Sequence, residues 1–296
     1  MPDLVAGYDL VIFDLDGVLY LGDQVIPGAV EATGTLRERG VPMAYATNNA
    51  SRLAADVAAL LTSIGIPAEA DEVITSSRAS AQLLAQRLPA GAPVLVVGAP
   101  ALVEEVRAAG LRPVERAEDH PAVVVQGYGP DVGWRVLAEA TVAIRAGASW
   151  VATNADRTLP SPRGALPGNG SLIAVLATAL GRQPDTVVGK PDPGLFALAA
   201  RERGAKRPLV VGDRLDTDIE AANRAGMDSL LVLTGVSQAD DVAAAPDERR
   251  PTYVAKDLSG LFDNRPEGKQ SEGKQSEGNQ PEGDQSEGNQ SEGNQS

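Results

Sequence analysis

The chain has 296 residues, 43% of them hydrophobic, and a formal net charge of −14. This is enough apolar material for one large domain or two ordinary ones. The acidic balance argues against nucleic acid or an anionic membrane as partner, since both require clustered Lys and Arg. There is no cysteine and a single histidine, His120, so disulfides, thiolate metal sites, cysteine nucleophiles and multi-histidine centres are excluded. A Ser-His-Asp triad would depend on His120, which, followed by Pro121, reads as a surface residue. The opening MPDLVAGYD lacks the basic and apolar regions of a signal peptide, and no stretch approaches the ~20 apolar residues of a membrane span. The expected location is cytoplasmic.

In chain order, apolar β-type runs at Leu10–Asp14, Pro42–Thr47 and Glu72–Thr75 alternate with amphipathic helical patterns at Ala29–Arg39 and Arg52–Ile64. The alternation returns with Leu195–Arg203, Leu209–Asp213, Ile219–Ala225 and Ser229–Thr234. Apolar strands alternating with helices predict a doubly wound parallel sheet covered on both faces. Between the two halves, a stretch from about Ser80 to Thr186 carries its own pattern: PVLVVG, a helix through Arg107, AVVVQGY, a helix from Trp134 to Ala146, and SWVATN. It reads as an inserted α/β domain. The expected division is a core in two parts, 1–79 and 187–263, an insert at 80–186, and a tail at 264–296. The tail is a five-residue repeat from Pro266 with no apolar side chain, so it cannot offset the entropy of ordering and reads as disordered.

In an open parallel sheet, ligands bind beyond the carboxyl ends of the strands. The first strand ends in Asp14-Leu15-Asp16-Gly17, the second in Thr47-Asn48-Asn49, and a later one in Gly212-Asp213-Arg214-Leu215-Asp216-Thr217-Asp218; a loop carries Gly189-Lys190-Pro191. Each has a structural explanation taken singly. Asp-Gly is a turn signal, Thr-Asn-Asn can cap a helix, Asp216 and Asp218 suit a first helical turn, and Lys190 can be a loop lysine. Jointly, carboxylates, a cation and hydrogen-bond donors on one rim describe a site for an anion and a divalent metal. Up to Asp263 there are three lysines against twenty arginines, which sets Lys190 apart. Mg²⁺ takes hard oxygen ligands, usually one or two carboxylates with waters and substrate phosphate, and Asp14 and Asp213 can supply them. A carboxylate beside the metal can attack phosphorus, and a second acid can protonate the leaving alkoxide and then activate water. Asp14 and Asp16 stand at the spacing for nucleophile and acid/base.

The motifs DLDGVLY, TNNAS, VGKPDP and GDRLDTDI resemble, in order, the four motifs of the haloacid dehalogenase-like phosphatases. The large insert between the second and third resembles the cap of the class IIA branch, which includes p-nitrophenyl phosphatase-like and phosphoglycolate phosphatase-like enzymes. ITSSRAS, VVQGY, LPGNGS and VVGDRLDTDIEAANRAGMDSLLVLTGV are similar to actinobacterial glycerol-3-phosphate phosphatases, and the likeness covers about residues 8–258. The resemblance implies that Asp14 is nucleophile and Mg²⁺ ligand, and that Asp16 is acid/base and lends the metal its main-chain carbonyl. It implies Asp213 as the third protein ligand with Asp218 behind it. Thr47, Asn48 and Asn49 would bind the transferring phosphoryl group, and Lys190 would neutralise it and hold Asp14. Asn154, Asp156 and Arg157, just after a strand of the insert, are expected to contact a small phosphorylated metabolite. A homodimer through the cap is a further expectation. Asp16 argues for phosphate esters over halides, because a halide leaves without a proton and an alkoxide does not.

Two rivals stand beside this reading. A receiver-like phosphoacceptor domain shares the sheet, the acids, a threonine and a lysine, but has no place for the insert. A phosphomutase or other phosphotransferase shares the nucleophile and differs only in the acceptor. Among phosphatase substrates, phosphoglycolate, sugar phosphates and nucleoside monophosphates stand beside glycerol 3-phosphate.

Overall fold

The structure, a computed structural model, describes residues 3–22, 24–159, 163–263 and 267–268. Its strands are β1 (Leu10–Phe13), β2 (Met43–Thr47), β3 (Val73–Thr75), β4 (Pro93–Val97), β5 (Arg112–Val114), β6 (Val123–Gln126), β7 (Ser149–Ala152), β8 (Thr186–Val187), β9 (Pro208–Gly212), β10 (Asp228–Val232), β11 (Tyr253–Ala255) and β12 (Glu267–Gly268), with two short antiparallel pairs, Tyr20–Leu21 with Gln24–Val25 and Thr158–Leu159 with Leu166–Pro167. They form two sheets, in the orders β12-β11-β10-β9-β1-β2-β3 and β8-β7-β6-β4-β5. All pairings in both sheets are parallel except β11 with β12. The protein is thus an α/β molecule with a doubly wound sheet and a second parallel sheet inserted between β3 and β9. Apart from Glu267–Gly268, the repeat tail lies outside the described residues.

The main sheet explains its own sequence. Side chains alternate across a strand, so Leu10 and Ile12 of β1 join one apolar cluster while Val11 and Phe13 join the other. Both faces being covered, all four are fully buried, and the strand reads as a continuous apolar run. Phe13 stacks on Tyr45 of β2 with ring centroids 6.2 Å apart. The second sheet has a cluster of its own, around Val124, Ile144 and the fully buried Trp150. Its other face is continuous with the main core: Val94, Val123 and Val151 share a cluster with Ile12 and Val210. The helix Ser76–Arg87, which follows β3 directly and runs through residue 80, joins the two through Ala79, Ala81 and Leu84. Among the described residues no helix is long and apolar enough to cross a membrane.

The chain leaves β1 toward β2 on one side and returns to β9 on the other. That reversal opens a crevice at the carboxyl end of β1.

Candidate active site

Asp14 directly follows β1, Thr47 ends β2 and Asp213 directly follows β9, so the crevice is lined by the ends of three neighbouring strands. With the second sheet above, it forms a cavity of about 880 Å³. Of the residues singled out from sequence, Asp14, Asp16, Thr47, Asn48, Asn49, Asn154, Asp156, Lys190 and Asp213 line it. Asp218 lies beneath, fully buried. Arg157 does not line the cavity: it is exposed, and its main-chain carbonyl accepts bonds from the Gly168 amide at 2.9 Å and the Ser171 hydroxyl at 2.7 Å. His120 is exposed and outside the site.

Lys190 organises the floor. Its ammonium donates to Asp14 Oδ1 at 2.6 Å and Asp218 Oδ1 at 2.7 Å. Burial alone would drive off its proton, but the two carboxylates outweigh that and hold its pKa above the ordinary value. The other Asp218 oxygen accepts from the Arg214 amide at 3.1 Å, so both of its oxygens are engaged. The turn that places Asp218 there is π-helical, Leu215–Ile219, a form found often at functional sites. A Cβ on Gly212 would collide with the Asp218 side chain, which is why glycine ends β9.

Asp14, Asp213 and Asp218 offer oxygens within 4.8 Å of one another, all buried. Burial, reinforced by the Asp218 charge, pushes the Asp213 carboxyl up to about 7. Its Oδ2 accepts from the Val236 amide at 2.7 Å, while its Oδ1 is buried with no partner among the described residues. An orphaned carboxylate oxygen in a dry site is costly without a cation. Hard oxygen donors, one of them orphaned, fit a small divalent ion such as Mg²⁺. Gly17, at φ +84°, and Gly235 both lie where a Cβ would strike Asp213. The Asp-Gly of DLDG is therefore a turn and a close approach at once.

Burial also raises the carboxyls of Asp14, Asp16 and Asp156, with Lys190 opposing in all three and the Asn48 amide opposing at Asp156. Among the described residues no cation is hydrogen-bonded to Asp16, which suits a carboxyl that carries a proton. Thr47 Oγ1 accepts from the Asn49 amide at 3.1 Å, leaving its proton for another acceptor. Tyr20, Arg52, Tyr128, Asn169 and Arg214 also line the cavity and were not legible as site residues. Arg214 grips Asp216 through two nitrogens at 3.0 and 2.9 Å. For Asn169 the signal was its two flanking glycines. A Cβ on Gly168 would strike the Asp156 carbonyl and one on Gly170 the Ala155 carbonyl, so the GNG turn is pressed against the loop beside the site.

A family model described as haloacid dehalogenase-like hydrolase matches residues 11–112, and a second, HAD-hydrolase-like, matches 187–261. The chain is 51% identical over 264 residues to D-glycerol 3-phosphate phosphatase of Mycobacterium tuberculosis, covering 89% of this chain and 74% of that one. It is 37% identical over 254 residues to acid sugar phosphatase of Staphylococcus aureus, covering 85% and 96%. The crystal structure of the M. tuberculosis glycerol phosphate phosphatase in complex with magnesium superposes with a TM-score of 0.85 at 51% identity, covering 88% of this chain and 79% of that one. The 4-nitrophenylphosphatase of Thermotoga maritima gives 0.80 at 32% identity, covering 88% and 98%. This chain is a phosphoric monoester hydrolase and belongs to the class IIA branch of the haloacid dehalogenase-like hydrolases.

Proposed function

We propose that the enzyme works in the cytoplasm on small phosphorylated metabolites, with glycerol 3-phosphate the favoured substrate, and that Asp14 is the nucleophile. The observation that carries the reading is the Lys190 ammonium bridging Asp14 and Asp218 at the floor of the cavity. It leaves the second Asp14 oxygen to attack phosphorus and sets a positive charge where a phosphoryl group would sit. The 51% identity to a D-glycerol 3-phosphate phosphatase supports the substrate, and the polar side chains of Arg52, Tyr128 and Asp156 among the lining support a polyol leaving group.

Asp14 and Asp213, with the main-chain carbonyl of Asp16, would hold Mg²⁺, which supplies positive charge to the nucleophile and the phosphoryl oxygens. The chain's own residues then divide the work. The Thr47–Asn49 turn and Lys190 receive the phosphoryl oxygens. An Asp14 carboxylate oxygen forms a bond to phosphorus as the ester oxygen leaves, and Asp16 gives that oxygen its proton. Asp16, now a carboxylate, takes a proton from water. The hydroxide attacks phosphorus, phosphate leaves and Asp14 is regenerated.

The second sheet, capping residues 80–186 by our reading, closes the cavity from above and limits the leaving group to a small one. A phosphate-release screen with Mg²⁺ over glycerol 3-phosphate, phosphoglycolate, sugar phosphates and nucleoside monophosphates tests this. The expected result is a kcat/KM for glycerol 3-phosphate at least tenfold above the others. A higher value for any other ester would overturn the substrate assignment.

A further inference from the structure

Three asparagines stand in series between the inserted sheet and the catalytic lysine. Asn169 Nδ2 donates to two main-chain carbonyls, Asn154 at 2.7 Å and Gln126, the last residue of β6, at 3.2 Å. Asn154 Nδ2 donates to the Asn48 carbonyl at 2.8 Å, and Asn154 Oδ1 accepts from the Asp156 amide at 3.2 Å. Asn48 then holds Lys190 from both sides. Its Oδ1 accepts from the Lys190 amide at 2.8 Å, and its Nδ2 donates to the Lys190 carbonyl and to Asp156 Oδ2, each at 3.1 Å. Asn154 and Asn169 are 4% and 1% exposed, so their amides are desolvated and each bond costs free energy to lose. Gly189 permits the approach: a Cβ there would lie 2.7 Å from both Asn48 Oδ1 and the Thr153 carbonyl.

We infer that Asn48, Asn154 and Asn169 are positioning residues, forming an amide chain that carries the placement of the inserted sheet's strand ends to the backbone of Lys190 and so fixes its ammonium on Asp14. The inference rests on the phosphatase reading, in which Lys190 neutralises the phosphoryl group. It changes what is expected of Asn154. With both polar ends of its side chain engaged, Asn154 serves every substrate alike instead of selecting the leaving group.

Steady-state kinetics with Mg²⁺, on glycerol 3-phosphate and on p-nitrophenyl phosphate, test it in Asn154→Ala, Asn154→Asp, Asn169→Ala and the Asn154→Ala/Asn169→Ala double variant. Loss of one buried hydrogen bond at this position is expected to lower kcat about tenfold. The fall should be the same on both esters, with KM for p-nitrophenyl phosphate within about twofold of wild type. Asn154→Asp keeps the shape and the acceptor but not the donor. It should lose as much as the alanine, where a residue that only fills space would leave it near wild type; it also decides the matter if the alanine does not fold. Because the links act in series, the double variant should be no worse than about threefold below the weaker single one. A loss confined to glycerol 3-phosphate, near-wild-type kcat in Asn154→Asp, or a multiplicative double loss would overturn the inference. Wild-type protein that hydrolyses neither ester would overturn the phosphatase reading instead.

Discussion

Asp14 and Asp16 lie two residues apart and have different neighbours. Asp14 is gripped by Lys190 at 2.6 Å; burial raises its carboxyl too, but the ammonium bonded to it opposes that rise and favours the carboxylate. Asp16 has no such bond, and burial raises its carboxyl with only distant help from Lys190 and Arg52. Two acids in one site thus acquire two roles from their surroundings. The division has a kinetic signature. On the roles proposed above, Asp16→Asn removes both the acid and the later base, but p-nitrophenolate is a good leaving group that needs no proton. Rapid-mix measurement with p-nitrophenyl phosphate should show a burst of about one p-nitrophenolate per site, followed by turnover at least a hundredfold slower than wild type. Glycerol 3-phosphate, whose alkoxide needs the proton, should give no burst of glycerol. Steady wild-type turnover in Asp16→Asn would remove Asp16 from the mechanism.

Five strands of the main sheet, β1, β2, β3, β9 and β10, were legible because burial on both faces writes them as apolar runs; VIF of β1 and LVV of β9 are fully buried. Their ends shifted by about a residue, as the residue that closes a strand also begins the site. Short pieces were not legible. β5, β8 and β11 have three, two and three residues, too few to show a period. The helix Asn169–Leu180 opens on Asn-Gly, which reads as a turn. Side-chain geometry was legible only where a motif carried it: the acids and Lys190 were read from sequence, whereas Asn169 and Tyr128 reach the cavity through the fold of the second sheet. That sheet has its own polar keystone. Trp150 Nε1, fully buried, donates to Gln126 Oε1 at 2.9 Å. Trp150→Phe removes the donor and leaves a buried carbonyl unpaired, at a cost of about 1–3 kcal/mol. Thermal melting should show a fall of several degrees, and an unchanged melting temperature would show that the amide finds another partner.

The two sheets share one apolar cluster and enclose one cavity between them, so chemistry from the strand ends of one meets walls from the other. The repeat from Pro266 contributes no apolar side chain. Among the described residues, ending the chain after Asp263 removes the two-residue pairing of β12 with β11. It should leave kcat/KM within about twofold and the melting temperature within about 3 °C, and a larger loss of either would show that the tail is part of the working molecule. The proposed metal site exists only in the assembled crevice, since Asp14 follows β1 and Asp213 follows β9. EDTA should abolish activity and Mg²⁺ or Mn²⁺ restore it, while Ca²⁺, with its larger and looser shell, should inhibit. The most direct test of the whole account is the initial rate of phosphate release from glycerol 3-phosphate by wild type and Asp14→Asn, each with and without Mg²⁺. Turnover is expected only in wild type with Mg²⁺, with a kcat for Asp14→Asn at least a hundredfold lower, about 2.7 kcal/mol of barrier. Turnover by Asp14→Asn above about a hundredth of wild type, or full wild-type activity in metal-free buffer, would contradict it.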